Sequence, residues 1–538
     1  MAPSTIAFLQ RSLLALCLGS PACAAEPWVA DLGHGSYRNP ILHADYSDPD
    51  AIRVGDDYWM TSSSFSHVPG LPILHSKDLV NWRLVNHALP RLVPAEVFAT
   101  PQHGKGVWAP ALRHHAGKFW IYYPDPDFGI YVITATDPAG KWSEPVLVKG
   151  GRGLIDPCPL WDDDGRLYLI HGWARSRAMV GNVLTLLELN QDGTQVIDDF
   201  GYIINGDRLP NYRTLEGPKL MKRDGWYYVF APAGGVATGW QSVFRSKNIR
   251  GPYEDRIVLA QGRTPINGPH QGALVDTPAG EEWFLHFQDK EAYGRIVHLQ
   301  PVVWKDGWPL MGTGVTTGAA QGEPVLTHAK PTLPPQPIAV PPTSDDFAAP
   351  TLGLQWQWQA NPGERWFSLT VQPGALRLFA QPEPKPGNLY DAPNLLMQKF
   401  PALEFTATTE LMLDAARGDG ASAGLIVFGF DYAWIGLKRV DGTLALVHAV
   451  RRDASKGEPQ QETIVARNVR GPVSVRVTVR EGGKCAFSYS LDGNTYVEVA
   501  GEFTAREARW VGAKVGVFAA GAGGHADFTH FTVAPLGI

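Results

Sequence analysis

Cysteine is scarce in this chain, which has only four in 538 residues. Two of them, Cys17 and Cys23, lie within the first 25 residues, so that Cys158 and Cys485 remain for the rest of the chain. These two are far apart in sequence, and we expect them to belong to different domains. We therefore predict two free thiols and no structural disulfide.

Clusters of basic residues and long apolar runs are also missing. The net charge is −6 and no run of Lys and Arg stands out, which argues against nucleic-acid binding because that function leaves a basic footprint. The one marked apolar stretch, residues 12–18, is too short to span a bilayer. We therefore predict that neither nucleic acid nor a membrane is a partner.

The first 25 residues have the pattern of a secretory signal. Arg11 precedes the apolar stretch, and Ala22, Cys23 and Ala24 supply the small residues of a cleavage site. We expect a cleavable signal peptide over residues 1–25, and a mature protein that is secreted or periplasmic.

Turn-forming and aromatic residues are plentiful, with 57 Gly, 44 Pro and 18 Trp. Many turns between aromatic-rich stretches predict an all-β architecture. A chain of 538 residues exceeds the length at which single cores stop growing, so at least two domains are expected. Indole faces also stack on sugar rings, although core packing accounts for most of the Trp residues.

A repeat covers the first part of the chain. Each copy has a turn residue followed by an aromatic and aliphatic stretch, the signature of the second strand of a hairpin. The copies start at Gly55, Gly117, Gly165, Gly225 and Gly280. Five units of about 50–60 residues can each form a four-stranded sheet. We predict a five-bladed β-propeller over residues 33–325.

The second part of the chain has a different pattern. Residues 326–344 are rich in Pro and predict a stiff, extended linker. Residues 345–538 then contain strand-like stretches between Gly-rich turns, with apolar and polar positions alternating most clearly over residues 473–479. This pattern predicts a β-sandwich domain.

Three acidic residues open repeat units at Pro-flanked turns. They are Asp48, Asp156 and Glu216. A turn fixed by Pro has a restricted backbone, and the innermost strand of every propeller blade faces the central channel. The three carboxylates should therefore share one pocket. Because like charges repel one another there, their joint presence favours a functional role over a structural one.

Converging carboxyl groups indicate glycoside hydrolysis. Hydrolysis with inversion needs a general base that activates water and, about 6.5–9.5 Å away, a general acid that protonates the leaving oxygen. A third carboxylate beside the acid raises the pKa of the acid by repulsion. We assign Asp48 as base, Asp156 as modulator, and Glu216 as acid because its longer side chain reaches the glycosidic oxygen.

Several motifs resemble glycoside hydrolase family 43 in its β-xylosidase branch. They lie at residues 47–50, 107–110, 155–157, 216–218 and 304–309. Residues 423–425 and 432–435 are similar to the concanavalin-like β-sandwich that follows many of these propellers. The resemblance implies a five-bladed propeller with inverting, exo-acting release of β-D-xylose or α-L-arabinofuranose. It also implies the same roles for the three carboxylates.

Other pocket residues follow from position or from the resemblance. Phe65 and Trp108 are either sugar-stacking walls or core residues. Arg295 resembles the arginine that binds sugar hydroxyls in this branch. Three roles are open for the sandwich domain: a carbohydrate-binding module, a rigid brace or the supplier of one active-site loop. The resemblance favours brace plus loop, and Phe430 is a hypothesis for a wall that closes the pocket. We expect these four residues and His270 to bind substrate.

His270 opens the fifth unit and is expected to face the channel. In some family members the matching His holds a central Ca²⁺ through a shell that is mostly water. One His is a poor ligand set for a hard cation, so a channel His that is merely hydrogen-bonded is the alternative. We expect that the chemistry needs no cofactor, and we keep a structural Ca²⁺ at the centre of the propeller as an alternative.

One residue departs from the family pattern, because Asp50 stands where the base motif often has a small residue. We interpret Asp50 as a structural carboxylate. The leading function is β-xylosidase acting on xylo-oligosaccharides, with α-L-arabinofuranosidase or dual activity on arabino-oligosaccharides as the alternative. More distant rivals are a retaining fructan enzyme, in which Asp48 would be a nucleophile, and a sugar-binding propeller without catalysis.

Overall fold

The computed structural model describes residues 25–314, 321–415 and 419–537. Regular structure in these ranges is almost entirely β, which confirms the all-β class. The helical segments described are the α-helix Arg175–Ala178 and the 3-10 turns Val97–Ala99, Gly206–Arg208, Glu291–Tyr293 and Ala454–Lys456. No helix in the described ranges is long and apolar enough to cross a membrane. Of the predicted signal segment, all but Ala25 lies outside the described residues.

Five four-stranded antiparallel sheets follow one another along the first part of the chain. Sheet 1 consists of Asp50–Val54, Asp57–Thr61, Gly70–Ser76 and Arg83–Leu89. Sheet 2 consists of Ala111–His115, Lys118–Asp125, Gly129–Ala135 and Val146–Gly150. Sheet 3 consists of Leu154–Trp161, Leu167–Trp173, Val183–Leu189 and Val196–Asn205. Sheet 4 consists of Lys219–Arg223, Trp226–Ala233, Trp240–Ser246 and Glu254–Ala260. Sheet 5 consists of His270–Asp276, Glu282–Asp289, Arg295–Lys305 and Trp308–Met311.

The repeated glycines explain where these hairpins turn. They have φ angles between 63° and 84°, in the left-handed region that strains other residues. These glycines are Gly55, Gly117, Gly165, Gly225 and Gly280. Each lies between the first and second strands of its sheet, where the sequence pattern predicts a turn.

Neighbouring sheets share hydrophobic cores and touch through their first strands. The first strands of sheets 1 and 2, 2 and 3, 3 and 4, and 5 and 1 are in contact, and the first strand of sheet 5 also contacts the second strand of sheet 4. A separate apolar cluster fills the space between each neighbouring pair, including sheets 5 and 1. The first strands therefore lie at the centre of a propeller-type domain.

The Pro-rich segment begins with a strand that the sequence did not predict. Thr327–Ala329 pairs with Ser36–Arg38, which also pairs with Asp31–Gly33. Directly after this strand, Lys330 forms an ion pair with Asp78 of sheet 1 at 2.9 Å. The segment is thus attached to the propeller-type domain at its start.

The rest of the chain forms a β-sandwich, as predicted. One sheet contains, in spatial order, Gln357–Trp358, Leu396–Lys399, Lys514–Ala520, Ser422–Phe428, Tyr432–Val440, Thr443–Arg451 and Gln461–Ala466. The other contains Phe367–Ser368, Leu376–Phe379, Gly524–Ala534, Phe405–Ala415, Val473–Arg480, Lys484–Ser490 and Val497–Glu498, with Phe503–Thr504 paired to Lys484–Ser490. Apolar residues from both sheets form one core between them.

The two remaining cysteines are free and buried, which confirms the prediction of unpaired thiols. Cys158 lies in the first strand of sheet 3 and Cys485 in the sandwich. Burial raises the pKa of the Cys485 thiol to about 12, so this thiol is protonated at neutral pH.

Buried histidines predict that the fold loses stability in mild acid. Burial lowers the pKa of His171 from 6.5 to about 4, so below about pH 6.5 the unfolded chain takes up a proton that the folded protein does not. The free energy of unfolding should fall between pH 6.5 and 4, by about 1.4 kcal/mol per unit of pKa difference. In His171→Phe this pH dependence should be weaker, as urea unfolding at pH 7 and pH 5 would measure.

The matched control is His114→Phe, because His114 is exposed on sheet 2. This variant should keep the pH dependence of the wild type. An unchanged dependence in His171→Phe would contradict the assignment of acid sensitivity to this buried imidazole.

Candidate active site

The three predicted carboxylates line one cavity of about 270 Å³. Asp48 precedes the first strand of sheet 1, Asp156 lies in the first strand of sheet 3, and Glu216 precedes the first strand of sheet 4. Because the first strands meet at the centre of the domain, their ends bring together carboxylates that are far apart in sequence. The other lining residues are Phe65, Trp108, Ala109, Ile155, Thr214, Gly235, Val236, Gln271, Arg295 and Trp510.

Asp48 is held by three donors. The hydroxyls of Ser47 and Ser63 donate to Oδ2 at 2.6 and 2.5 Å, and the Arg295 guanidinium donates to Oδ1 at 3.1 Å. The Asp48 backbone has a φ of 54°, and the residue is buried. The carboxylate is thus fixed in orientation by its own turn and by sheet 5.

Asp156 is the most isolated of the three acids. It lies at a bulge in its strand, with a φ of 55°, and accepts a hydrogen bond from the Gly217 N–H at 2.7 Å. Burial raises the pKa of Asp156 well above its usual range, and the charges of Glu216 and Asp48 raise it further, whereas the Gly217 bond opposes the shift. Asp156 and Glu216 are therefore electrostatically coupled.

Glu216 is the most accessible carboxylate, with 22% of its side chain exposed. His270 Nε2 lies 3.1 Å from Glu216 Oε1. The His270 side chain is completely buried and does not line the cavity, so the expectation of direct substrate contact needs correction. Because its imidazole lies behind Glu216, His270 is placed to orient that carboxylate.

Three aromatic rings form one wall of the cavity. Phe65 and Trp108 meet edge to face with ring centroids 6.2 Å apart, and Trp108 and Trp510 do so at 6.0 Å. Phe65 is almost fully buried, whereas Trp510 is 39% exposed. The predicted residues Phe65, Trp108 and Arg295 therefore all reach the cavity.

The sandwich contributes a different aromatic residue from the one predicted. Phe430 lines an adjacent cavity of about 220 Å³, and the residue that reaches the carboxylate cavity is Trp510. The two cavities share Arg295 and Trp510 as lining residues. The sandwich thus brings the loop that carries Trp510 to the carboxylate cavity, and closure of the pocket by Phe430 stays a prediction.

Asp45 attaches this loop to the propeller-type domain. The Asp45 side chain is buried, and its two oxygens accept the N–H groups of Arg295 at 2.9 Å and Gly512 at 3.0 Å. Nearby, the Ala513 N–H donates to the carbonyl oxygen of Ala292 at 2.7 Å. One carboxylate thus positions both the arginine that holds Asp48 and the loop that carries Trp510.

Asp50 points away from the carboxylate cavity. Its Oδ2 accepts hydrogen bonds from the Leu112 N–H at 2.7 Å and the Arg113 guanidinium at 2.8 Å, and Lys219 Nζ lies 3.6 Å from Oδ1. Asp50 therefore joins sheet 1 to sheets 2 and 4, which agrees with its interpretation as a structural carboxylate.

Trp510 and Gln271 are among the cavity residues that the sequence analysis missed. Trp510 belongs to no repeat, and nothing local relates it to the propeller. Gln271 directly follows His270, has a φ of 40°, and has a buried Nε2 without a hydrogen-bond partner in the described structure. Its position beside His270 in the motif was the signal that could have identified it.

A propeller-type domain with three carboxylates and an aromatic wall around one cavity is typical of a glycoside hydrolase. The sequence comparison agrees, since the profile of glycosyl hydrolases family 43 matches residues 37–309. The profile of the beta xylosidase C-terminal concanavalin A-like domain matches residues 344–534. The chain belongs to glycoside hydrolase family 43.

Relatives cover most of the chain. A putative beta-xylosidase of Xylanibacter ruminicola is 38% identical over 90% of this chain and 86% of its own length. The non-reducing end alpha-L-arabinofuranosidase BoGH43B of Bacteroides ovatus is 32% identical over 74% of this chain and 75% of its own. The solved structure of a bifunctional GH43-CE protein of Bacteroides eggerthii superposes with a TM-score of 0.81 at 29% identity. It covers 93% of this chain, which spans 64% of that longer chain.

The Asp45 contacts predict that Asp45→Asn weakens the attachment of the sandwich loop. One of the two N–H groups would face an amide donor in place of an acceptor, which costs about 1–3 kcal/mol for a buried group. Urea unfolding would measure this loss. Hydrolytic activity should also fall, since Arg295 and Trp510 are both displaced.

The control is Asp346→Asn, because Asp346 is exposed and accepts only the Ala348 N–H at 3.1 Å. A loss of the same size in both variants would mean that the Asp45 contacts have no special role.

Proposed function

We propose that this protein is an exo-acting, inverting glycosidase that releases β-D-xylose from the non-reducing ends of xylo-oligosaccharides. The observation that carries the proposal is the convergence of Asp48, Asp156 and Glu216 on one cavity with aromatic walls. The name of the Xylanibacter ruminicola relative supports xylose as the sugar. At about 270 Å³ the cavity is slightly smaller than the ~300–1,000 Å³ typical of drug-sized ligands, which suits a short chain end.

The domain architecture proposed here is a five-bladed propeller over residues 33–325, a linker over 326–344 and a sandwich over 345–538. Its support is that five four-stranded sheets share five separate apolar clusters, one of which joins sheet 5 to sheet 1. In this arrangement each sheet is one blade.

Asp48 acts as the general base in the proposed mechanism. Its three donors fix the carboxylate on the cavity wall, where it would hold a water molecule for attack on the anomeric carbon and take up the proton of that water. Arg295 has the further role of binding a sugar hydroxyl, because its guanidinium lies on the cavity wall beside the base.

Glu216 acts as the general acid. Its exposed side chain reaches the cavity, and His270 engages Oε1, so that Oε2 is available to the glycosidic oxygen. Asp156 is the modulator, because its coupling to Glu216 makes simultaneous ionisation of the two carboxyls unfavourable. After protonation of the leaving oxygen, the water held by Asp48 attacks from the opposite face and the anomeric configuration inverts.

The alternative activity is removal of α-L-arabinofuranose, or dual activity on both sugars. The similarity to the arabinofuranosidase of Bacteroides ovatus favours it. The three carboxylates serve either substrate, since both reactions invert a pentose at its anomeric carbon. The ratio of the hydrolysis rates on a β-D-xyloside and on an α-L-arabinofuranoside is therefore the measurement that decides between the two activities.

Hydrolysis in this mechanism requires no cofactor. Within the described ranges, no three His, Cys, Asp or Glu side chains are grouped so that they could hold a metal ion. His270 does not fit as the centre of a protein-ligated Ca²⁺ site, because its Nε2 faces Glu216 and hard cations prefer six to eight oxygen ligands. We also propose, from the signal pattern of residues 1–25, that the enzyme is secreted or periplasmic.

The roles predict that the effect of Glu216→Gln depends on the leaving group. Xylobiose needs protonation of its leaving oxygen, so its hydrolysis should fall by about 10²–10⁴-fold. For 4-nitrophenyl β-D-xylopyranoside, which has a good leaving group, the loss should be much smaller. Steady-state rates on both substrates and on the matching α-L-arabinofuranoside, with and without EDTA, test the assignment and the sugar preference together.

Equal losses on xylobiose and on the nitrophenyl substrate would argue against Glu216 as the acid. Binding of sugar without turnover in the wild type would favour the non-catalytic alternative. Fructose release from fructan with retention of configuration would favour the fructan enzyme.

Asp48→Asn should abolish hydrolysis of both xylosides, because no base then activates the water. Asp50→Asn is the neighbouring control, and should retain most of the turnover per folded molecule although its melting temperature falls with the loss of the Arg113 ion pair. Loss of turnover in Asp50→Asn with activity retained in Asp48→Asn would mean that Asp50 is the general base and Asp48 the structural carboxylate. Proton NMR of the first product should show α-xylose if the reaction inverts.

A further inference from the structure

The loops at the mouth of the carboxylate cavity are rich in arginine on the side of sheets 3 and 4. The three carboxylates lie at the starting ends of first strands, and in an antiparallel sheet the loop between the second and third strands returns to that end. The segments that lead into each sheet lie there too. Residues 151–153, 174–182 and 206–218 are such segments, and together they contain five arginines, which form the arginine rim: Arg152, Arg175, Arg177, Arg208 and Arg213.

The arginine rim is a positive region on a chain whose net charge is −6. Asp127 lies between Arg152 and Arg177, with its Oδ1 3.5 Å from a nitrogen of each. The acid that these segments contain besides Glu216 is Asp207. The other three arginines of the rim form no ion pair with a carboxylate of the described residues. The rim therefore keeps an excess of positive charge that faces solvent.

Arg213 is fixed at the edge of the carboxylate cavity. Its backbone carbonyl oxygen accepts the Gly234 N–H at 2.7 Å. Its Nη2 donates to the Gly234 carbonyl oxygen and to the Thr238 hydroxyl, both at 2.9 Å. Thr214 and Gly235, which directly follow Arg213 and Gly234, line the cavity. The exposed guanidinium is thus held at the mouth of the cavity, and its Nη1 remains available to a ligand.

A second arginine borders the mouth at the aromatic wall. The guanidinium carbon of Arg177 lies 5.3 Å from the centre of the Trp108 ring, and Trp108 lines the cavity. Positive charge therefore borders the cavity at two places, beside Trp108 and beside Thr214. Both places belong to the loops that surround the opening.

The leaving part of the substrate has to lie near this rim. In the proposed mechanism Glu216 protonates the leaving oxygen, and Glu216 is the most accessible of the three carboxylates. It follows Arg213 by three positions in the same segment. The terminal sugar fills the cavity, so the sugar units beyond the scissile bond leave the cavity past Glu216 and towards Arg213.

We propose that the arginine rim binds a carboxylate on the leaving part of the substrate, with Arg213 as the principal contact. The substrate class is then an acidic oligosaccharide, in which a uronic acid is attached to the sugar next to the scissile bond. A guanidinium forms strong charge-assisted hydrogen bonds with a carboxylate, whereas a neutral oligosaccharide has no use for an excess of positive charge. The inference rests on the proposed glycosidase function.

Hydrolysis of two matched trisaccharides measures this preference. Each is xylobiose with a sugar on O2 of the reducing-end xylose, which is α-glucuronic acid in one and α-glucose in the other. The wild-type kcat/KM should be about 5-fold higher for the acidic trisaccharide, the effect of one exposed ion pair. Raising sodium chloride from about 0.02 M to about 0.5 M should remove most of the preference, because salt screens exposed charges.

Arg213→Gln tests the principal contact, because glutamine keeps an N–H donor for the Gly234 carbonyl oxygen but lacks the charge. The ratio of kcat/KM for the acidic to the neutral trisaccharide should fall towards one. Arg470→Gln changes an exposed arginine of the sandwich outside the rim, and should keep the wild-type ratio. Because both substrates are measured on the same preparation, a partly misfolded variant does not alter the ratio.

Equal kcat/KM values for the two trisaccharides in the wild type would overturn the proposal. So would a preference that persists in Arg213→Gln, and Arg213 would then serve only to fasten the turn of residues 234–238. If neither trisaccharide nor xylobiose is hydrolysed, the proposed function fails by itself. Calorimetric titration of the two trisaccharides into the wild type then tests the rim alone: tighter binding of the acidic one supports the proposal, and equal affinities overturn it.

Discussion

Electrostatic repulsion between three carboxylates in one cavity is the constraint on which the active site depends. Each acid has different neighbours in this cavity. Asp48 accepts hydrogen bonds from an arginine and two hydroxyls, and Glu216 lies beside a buried imidazole. Asp156 accepts a single backbone N–H and has a raised pKa. These unequal surroundings separate the properties of three groups of the same chemical type. The proposed division into base, modulator and acid rests on that inequality.

The arginine, the backbone N–H and the imidazole lie on or next to other sheets than the acids that they serve, so the site requires the sheets to be fixed relative to one another. Arg295 begins the third strand of sheet 5, and its guanidinium donates to Asp48, which precedes the first strand of sheet 1. Gly217, next to sheet 4, holds Asp156 in sheet 3. The ion pair of Asp50 with Arg113 likewise joins sheet 1 to sheet 2. The apolar clusters between sheets are thus part of the catalytic geometry.

The sequence predicted the features that depend on local residue patterns. Turn glycines with positive φ and aromatic strands recur in each unit, which is why the sheets and the three acids could be identified. Contacts that depend on distant residues left no such pattern. Gly512 and Asp45 are 467 positions apart, and Trp510 has no motif of its own, so neither contact could be predicted from the sequence.

A chain of hydrogen bonds through Asp45 explains why the sandwich is an integral part of this enzyme. Asp45 accepts the backbone N–H groups of Gly512 in the sandwich and of Arg295 in sheet 5, and the Arg295 guanidinium donates to Asp48. In a buried environment each of these charges is tolerable because of its neighbours. The interface between the two domains therefore contributes to the orientation of Asp48. A propeller without its sandwich would lose Trp510 from its cavity wall and also one end of this chain.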